Sequence, residues 1–205
     1  AGQAAIFVEN TRLYQRLKKS FEETIASLVN TIEKRDPYTG GHTQRVVEGA
    51  VAIATRMGLD HARIQQLRMG GLLHDIGKIG IADSILHKPK KLTLTECSVM
   101  KTHPGLGVEI FNHIEDLADL VPVVLHHHEF WNGEGYPGGL SGDRIPLLSR
   151  ILSVADSYDA MTSDRPYRKA LSHSIAVAEI AQRAGIQYDP DVVRYFLSAV
   201  NENKY

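Results

Sequence analysis

The sequence predicts an all-α domain. Apolar residues recur at steps of three and four through most of the chain, as in Leu13, Leu17, Phe21, Ile25, Leu28 and Ile32, which is the spacing of a helix face. No strand-like alternation persists anywhere. Helix punctuation falls where the periodic runs stop, at Asp36-Pro37, Gly58, Asp60, Gly185 and Asp189-Pro190. A length of 205 residues suits one domain with a real core and an appendage.

The elements follow in order. Residues 5–35 form a long helix whose first half is polar enough for a signalling or dimerising role, and which serves as a core helix from residue 21 onward. Asp36-Pro37 stops it, because the residue before proline avoids the α region. The loop Tyr38 to His42 leads to a helix carrying Val46, Val47, Ala50, Ile53, Ala54 and Met57 on one face. Asp60 caps the next, which carries Ile64, Leu67, Leu72 and Leu73 down to His74-Asp75. Residues 79–91 are irregular. Thr93 and Glu96 fit a capping box for a helix reaching His103-Pro104. Asn112 to Asp116 links to a helix from Leu117 to Leu125, and further helices cover 145–161 and 174–184. The last helix begins at Asp189-Pro190, with Val192, Val193, Phe196 and Leu197 facing in.

Composition excludes several classes. The net charge of −1 provides no global field for a nucleic acid polymer, so any anion site is local. Cys97 is the single cysteine, which rules out an intrachain disulfide and suggests a reducing compartment. No apolar run approaches transmembrane length and no signal peptide is present, so a cytoplasmic location is expected. The chain starts at Ala1 without methionine, as a fragment or processed chain would.

The chemistry centres on Leu72-Leu73-His74-Asp75-Ile76-Gly77-Lys78. Adjacent helical positions diverge by roughly 100°, so His74 and Asp75 meet only at a point over the helix end. A divalent metal is such a point, and a carboxylate can bridge two ions. The plainer reading is a helix C-terminus with Gly77 as its cap. Further ligand types favour the metal. His126-His127-His128 ends an apolar helix, where cationic rings pack poorly and neutral, metallated ones fit. Asp156 lies among Ile151, Leu152, Val154 and Ala155 and requires a cation, either a metal or an arginine. His42 and His103 each stand at a helix boundary, where a ligand and a satisfied polar residue are both reasonable. The stretch 130–140 is rich in glycine and carries Trp131 and Tyr136, so it is either a purine-facing loop or a surface loop pinned by aromatics. Arg165, Arg168 and Lys169 suit phosphate contact or a solvated face.

Together, Arg35 to His42, Leu73 to Gly80, Thr102-His103-Pro104, His126 to Pro137, Ile151 to Asp159 and Asp164 to Arg168 resemble the HD-GYP domains, a branch of the HD phosphohydrolase superfamily. The resemblance covers about residues 24–200. It implies an HD-domain helical bundle extended by a C-terminal GYP-type helical region, with residues 1–23 as a linker or signalling helix and 24–205 as the hydrolase domain. It implies hydrolysis of cyclic di-GMP to linear pGpG, with further cleavage to GMP left open, through a hydroxide bridging two metals. His42, His74, Asp75, His103, His127, His128 and Asp156 are then the metal ligands, with Asp75 the bridge. Asp75 and Lys78 are catalytic, and Lys78, Tyr136, Arg165 and Arg168 contact substrate. His126 is not counted among the ligands.

Two departures bear on this. Members of the family with three metals carry glutamate where Tyr38 stands, so two divalent transition metals, iron or manganese, are expected. The loop usually has aspartate where this chain has Asn132, a change not expected to abolish activity. The stretch from Ile6 to Tyr14 resembles the last helix of a GAF sensor domain, and the stripe Leu13, Leu17 and Phe21 is expected to continue the core face of the hydrolase helix; pairing of that stripe with its own copy makes a parallel homodimer through the N-terminal helix a candidate assembly. The resemblance also makes GGDEF-type proteins candidate partners of the glycine-rich loop. The alternatives are an HD hydrolase of another nucleotide, such as 3′,3′-cGAMP, and a non-catalytic module that senses cyclic dinucleotides or docks partners.

Overall fold

The computed structural model describes residues 2–33, 35, 41–164 and 169–202. Among them it contains ten α-helices, three 3-10 turns and no strand beyond an isolated bridge between Ala184 and Tyr188. The helices are α1 (Gly2–Glu33), α2 (His42–Arg56), α3 (His61–Leu73), α4 (Asp83–Leu86), α5 (Leu94–Met100), α6 (His103–Phe111), α7 (Val121–Leu125), α8 (Leu147–Thr162), α9 (His173–Gln182) and α10 (Pro190–Asn201). The all-α expectation holds. No described helix is long and apolar enough to cross a membrane.

Local chemistry explains most boundaries. The Asp60 side chain accepts from Arg63 N at 2.8 Å, and the Thr93–Glu96 capping box forms in both directions. Asp189 Oδ1 accepts from Asp191 N at 2.8 Å, with Pro190 in the first turn, where its missing N–H is harmless. Gly41 takes a left-handed φ of 71° just before His42.

Three elements differ from expectation, two of them through proline. The helix expected to reach His103-Pro104 ends at Met100, and Pro104 instead opens α6. Proline fits the first helical turn and breaks a helix interior, so it starts the new element. The helix expected from Leu117 is a 3-10 turn over Glu115–Leu120 followed by the short α7, with Pro122 in its first turn. The stretch 79–91 includes the end of the 3-10 turn Ile76–Gly80 and the single-turn α4.

Two apolar clusters make the core. One joins α2, α8 and α10 through Val46, Ile53, Ile151, Leu152 and Phe196. The other gathers Ile25, Val29, Leu73, Phe111, Leu117 and Val124 beneath the C-terminal part of α1. Leu67 and Leu73 of α3 enter different clusters, as do Val123 and Val124 of α7. These two helices therefore tie the clusters together, and α3 ends at His74-Asp75 while α7 ends at His126-His127-His128.

The N-terminal stripe does not continue the core face. Leu13, Leu17, Phe21 and Leu28 are exposed, and α1 reaches the core only through Ile25, Val29 and the half-buried Ile32. The domain surface simply ends there, while the helix runs on through residues 23 and 24 without a break.

One contact sets the position of two elements. A Cβ at Gly77 would lie 2.0 Å from the His103 carbonyl oxygen and 2.4 Å from Gly107 N. The 3-10 turn after Asp75 thus rests directly on the backbone of α6. Gly77→Ala is expected to destabilise the fold by about 3 kcal/mol, the upper end of overpacking costs. A urea unfolding midpoint equal to that of the native chain would show that the turn can move away freely.

Candidate metal centre

Five local structures deliver the expected ligands to one place. His74 closes α3 and Asp75 follows it into the 3-10 turn. His103 begins α6, His127 and His128 follow the end of α7, His42 opens α2, and Asp156 sits within α8. Their side chains form two groups whose ligand atoms lie within 4.8 Å of one another: His42, His74 and Asp75, and His103, His127 and His128. Asp156 joins the first group, its Oδ1 3.3 Å from His42 Nε2.

Asp75 spans the two groups. Its Oδ1 is 3.3 Å from His103 Nε2, and its Oδ2 is 3.4 Å from His74 Nε2 and 3.8 Å from His42 Nε2. Lys78 Nζ donates to the same Oδ2 at 2.7 Å.

The tautomers follow from the outer hydrogen bonds. Nδ1 of His74, His103 and His127 meets the carbonyl three residues back, of Gly71, Met100 and Val124, at 2.6, 2.9 and 2.7 Å. A carbonyl only accepts, so each Nδ1 carries the proton and each Nε2 presents a lone pair. His103 Nε2 and His127 Nε2 then face each other at 3.5 Å, and buried His74 Nε2 has no hydrogen-bond partner. Lone pairs converging in a buried space are unfavourable without a cation, so the donor set fits a divalent transition metal in each group.

The electrostatics separate the two groups, because burial works against the charged form of His74 but Asp75 outweighs it and raises that ring. Burial lowers the His127 pKa, helped by His128, and burial pushes His128 itself down to about 3 and also lowers His103. Burial works against the charged form of His42 too, but Asp156 and Asp159 outweigh it and raise that ring to about 9. Burial would raise both Asp75 and Asp156, yet Lys78 and His74 hold Asp75 well below the usual carboxylate range, and His42 does the same for Asp156. Both carboxylates are therefore ionised beside neutral imidazoles on the far side, a donor set suited to cations.

His42, Asp75, His103, His128 and Asp156 of these groups line a cavity of about 840 Å³, together with Lys78, Tyr136, Lys88, Lys90, Lys91 and Arg183. Tyr136 stacks on His128 with ring centroids 4.9 Å apart, and Lys101 Nζ lies 5.1 Å from the tyrosine ring centre. The loop bearing Tyr136 is held from beneath by Glu129, whose buried carboxylate accepts from Gly138 N at 2.6 Å and Leu140 N at 3.1 Å.

All seven expected ligands converge. His126 stands apart, 3.2 Å from Glu129 Oε1. Asn132 is engaged with Glu134 at the surface. Arg165, Arg168 and Tyr38 lie outside the described residues. Sequence reasoning missed three supporting residues. Asp159 Oδ2 accepts a hydrogen bond from His42 Nδ1 at 2.6 Å, Arg45 donates to both Asp159 oxygens, and Glu129 anchors the loop. Asp159 lies one helical turn past Asp156, which is a spacing signal, whereas the Arg45 contact crosses between helices and leaves none.

The comparisons with known proteins agree with this geometry. A family model described as an HD domain matches residues 26–192. The cyclic di-GMP phosphodiesterase response regulator RpfG of Xanthomonas campestris pv. campestris is 40% identical over 173 residues, covering 83% of this chain and 46% of the relative. The 3′3′-cGAMP-specific phosphodiesterase 2 of Vibrio cholerae is 35% identical over 196 residues, covering 95% and 38%. The chain thus spans less than half the length of these relatives. The crystal structure of the V. cholerae cyclic GMP-AMP phosphodiesterase V-cGAP3 aligns with TM-score 0.67 at 20% identity, covering 87% of this chain and 48% of that one, a likeness of fold. With the motif segments, the helical architecture and these matches in agreement, the chain belongs to the HD-domain family.

Proposed function

We propose that this domain is a metal-dependent phosphodiesterase that opens cyclic di-GMP to linear pGpG. The observation that carries the reading is Asp75, which turns one oxygen to each of two imidazole groups at the floor of an open cavity. His42, His74, Asp75 and Asp156 would hold one metal, and Asp75, His103, His127 and His128 the other. When bound, two such ions, iron or manganese, supply Lewis acidity toward phosphoryl oxygens and make water more acidic.

The chain's own groups do the rest. Lys78 holds its ammonium beside the Asp75 carboxylate on the cavity wall, where it can meet charge growing on the phosphate. Tyr136 offers an aromatic face at the cavity edge, fixed on His128. A water oxygen forms the new bond to phosphorus, and the ribose 3′ oxygen leaves and takes up a proton. Arg165 and Arg168 are assigned the substrate phosphates on the strength of the motif they share with HD-GYP proteins. A second reading, hydrolysis of 3′,3′-cGAMP, is favoured by relatives named for that substrate.

α1 bears on assembly. Phe7, Tyr14, Phe21 and Leu28 are exposed at steps of seven, with Leu17 between Tyr14 and Phe21 on the same face and Leu13 beside them. That is the seam of a two-stranded parallel coiled coil, so the occupant we assign to it is α1 of a second copy.

Three outcomes test these assignments. Elemental analysis of fully loaded protein should give two metals per chain, and Asp75→Ala should lose at least one of them together with turnover of cyclic di-GMP. Retained turnover at unchanged metal content would make Asp75 a structural cap. Arg165→Ala and Arg168→Ala should each raise KM for cyclic di-GMP roughly ten- to hundredfold at constant metal content, since a charged hydrogen bond contributes about 1.5–3 kcal/mol; unchanged KM in both returns them to the solvated surface. Light scattering should show a dimer that Leu13→Glu with Leu17→Glu converts to monomer. A native chain that stays monomeric at every practical concentration rules the seam out.

A further inference from the structure

The two metal positions differ in how their histidines are held. His74, His103 and His127 sit at helix boundaries and use backbone carbonyls of Gly71, Met100 and Val124 to fix the ring. Those acceptors are neutral, and no side-chain substitution removes them. His42 opens a helix, and its Nδ1 meets a carboxylate, Asp159 Oδ2, at 2.6 Å. Asp159 is itself buried and pinned from several sides: Arg45 donates through Nε to Oδ1 and through Nη2 to Oδ2 at 3.1 Å, and Ser163 Oγ approaches Oδ2 at 3.3 Å. Arg45 Nη2 also reaches Ser163 Oγ at 3.1 Å.

A carboxylate behind an imidazole does two things that a carbonyl does less well. It fixes the proton on Nδ1, so that Nε2, on the side of Asp156 and Asp75, is the nitrogen that would give up its proton to a cation there, and it makes the ring a stronger electron donor. Its own orientation then matters, and the two-sided grip of Arg45 supplies that orientation.

From this asymmetry we propose that Asp159, oriented by Arg45, is a positioning residue for His42 that sets the metal affinity of the His42, His74, Asp75 and Asp156 position and leaves the His103, His127 and His128 position unaffected. The proposal rests on the metal-centre reading above. Asp159 touches neither ion nor substrate in this arrangement, and it acts only through the His42 ring.

The test is calorimetric titration of the metal-free chain with Mn²⁺, with far-ultraviolet circular dichroism confirming the helices of every variant. The native chain should show two binding steps, and His42→Ala should identify which belongs to the His42 side. Asp159→Asn keeps the shape and removes the charge. It should weaken that same step by roughly ten- to hundredfold, the usual cost of losing such a partner, and leave the other step as it was. Arg45→Gln should weaken the same step by less, because Ser163 and His42 still hold the carboxylate. Equal weakening of both steps, or no change in either, overturns the proposal. A native chain that binds no Mn²⁺ overturns the metal-centre reading itself, so the two failures are distinct.

Discussion

The Asp75 carboxylate is the constraint that the rest of the centre depends on. It is held ionised in a nearly buried setting by Lys78 and His74, and its two oxygens point to different imidazole groups. Moving it by an ångström would lose one group or the other. The close approach of Gly77 to the backbone of α6 sets where Asp75 leaves α3 and where His103 enters α6. One glycine therefore helps to position two candidate ligands through excluded volume.

Three of the candidate ligands, His74, His103 and His127, are also placed where helices run out of partners for their carbonyls. At the end of α3, the end of α7 and the turn before α6, a carbonyl three residues back is available to a histidine Nδ1. The hydrogen bond that satisfies the helix end fixes the ring and turns Nε2 inward. Secondary structure and the orientation of these rings rest here on the same interaction. His42, at a helix start, depends instead on a side chain from α8.

α1 meets this centre at its C-terminal end. Its C-terminal part is buried through Ile25 and Val29, and Glu33 Oε1 accepts from Thr43 N at 2.8 Å, next to His42. Arg35 holds Asp83 and the carbonyls of Ile79 and Ile81, just past Lys78. A shift of the helix end would thus be felt at both edges of the site, because each edge is tied to it by directional bonds.

By itself the sequence determined the helical class, the capping of α3, α5 and α10, and the ligand types, because periodicity, caps and clustered histidines are local signals. The seven candidate ligands were picked out by the resemblance to HD-GYP domains, because a His-Asp pair or a lone histidine at a helix boundary has plainer uses too. Only the tertiary structure decided that His103 begins a helix, that Leu13, Leu17 and Phe21 leave the core, and that Asp75 divides its oxygens between two groups. It alone revealed the service of Asp159, Arg45 and Glu129 to the site. These depend on contacts between segments far apart in the chain, such as the 114 residues that separate Arg45 from Asp159. No local pattern encodes such a pair, since a buried ion pair leaves the same residue types as a solvated surface does.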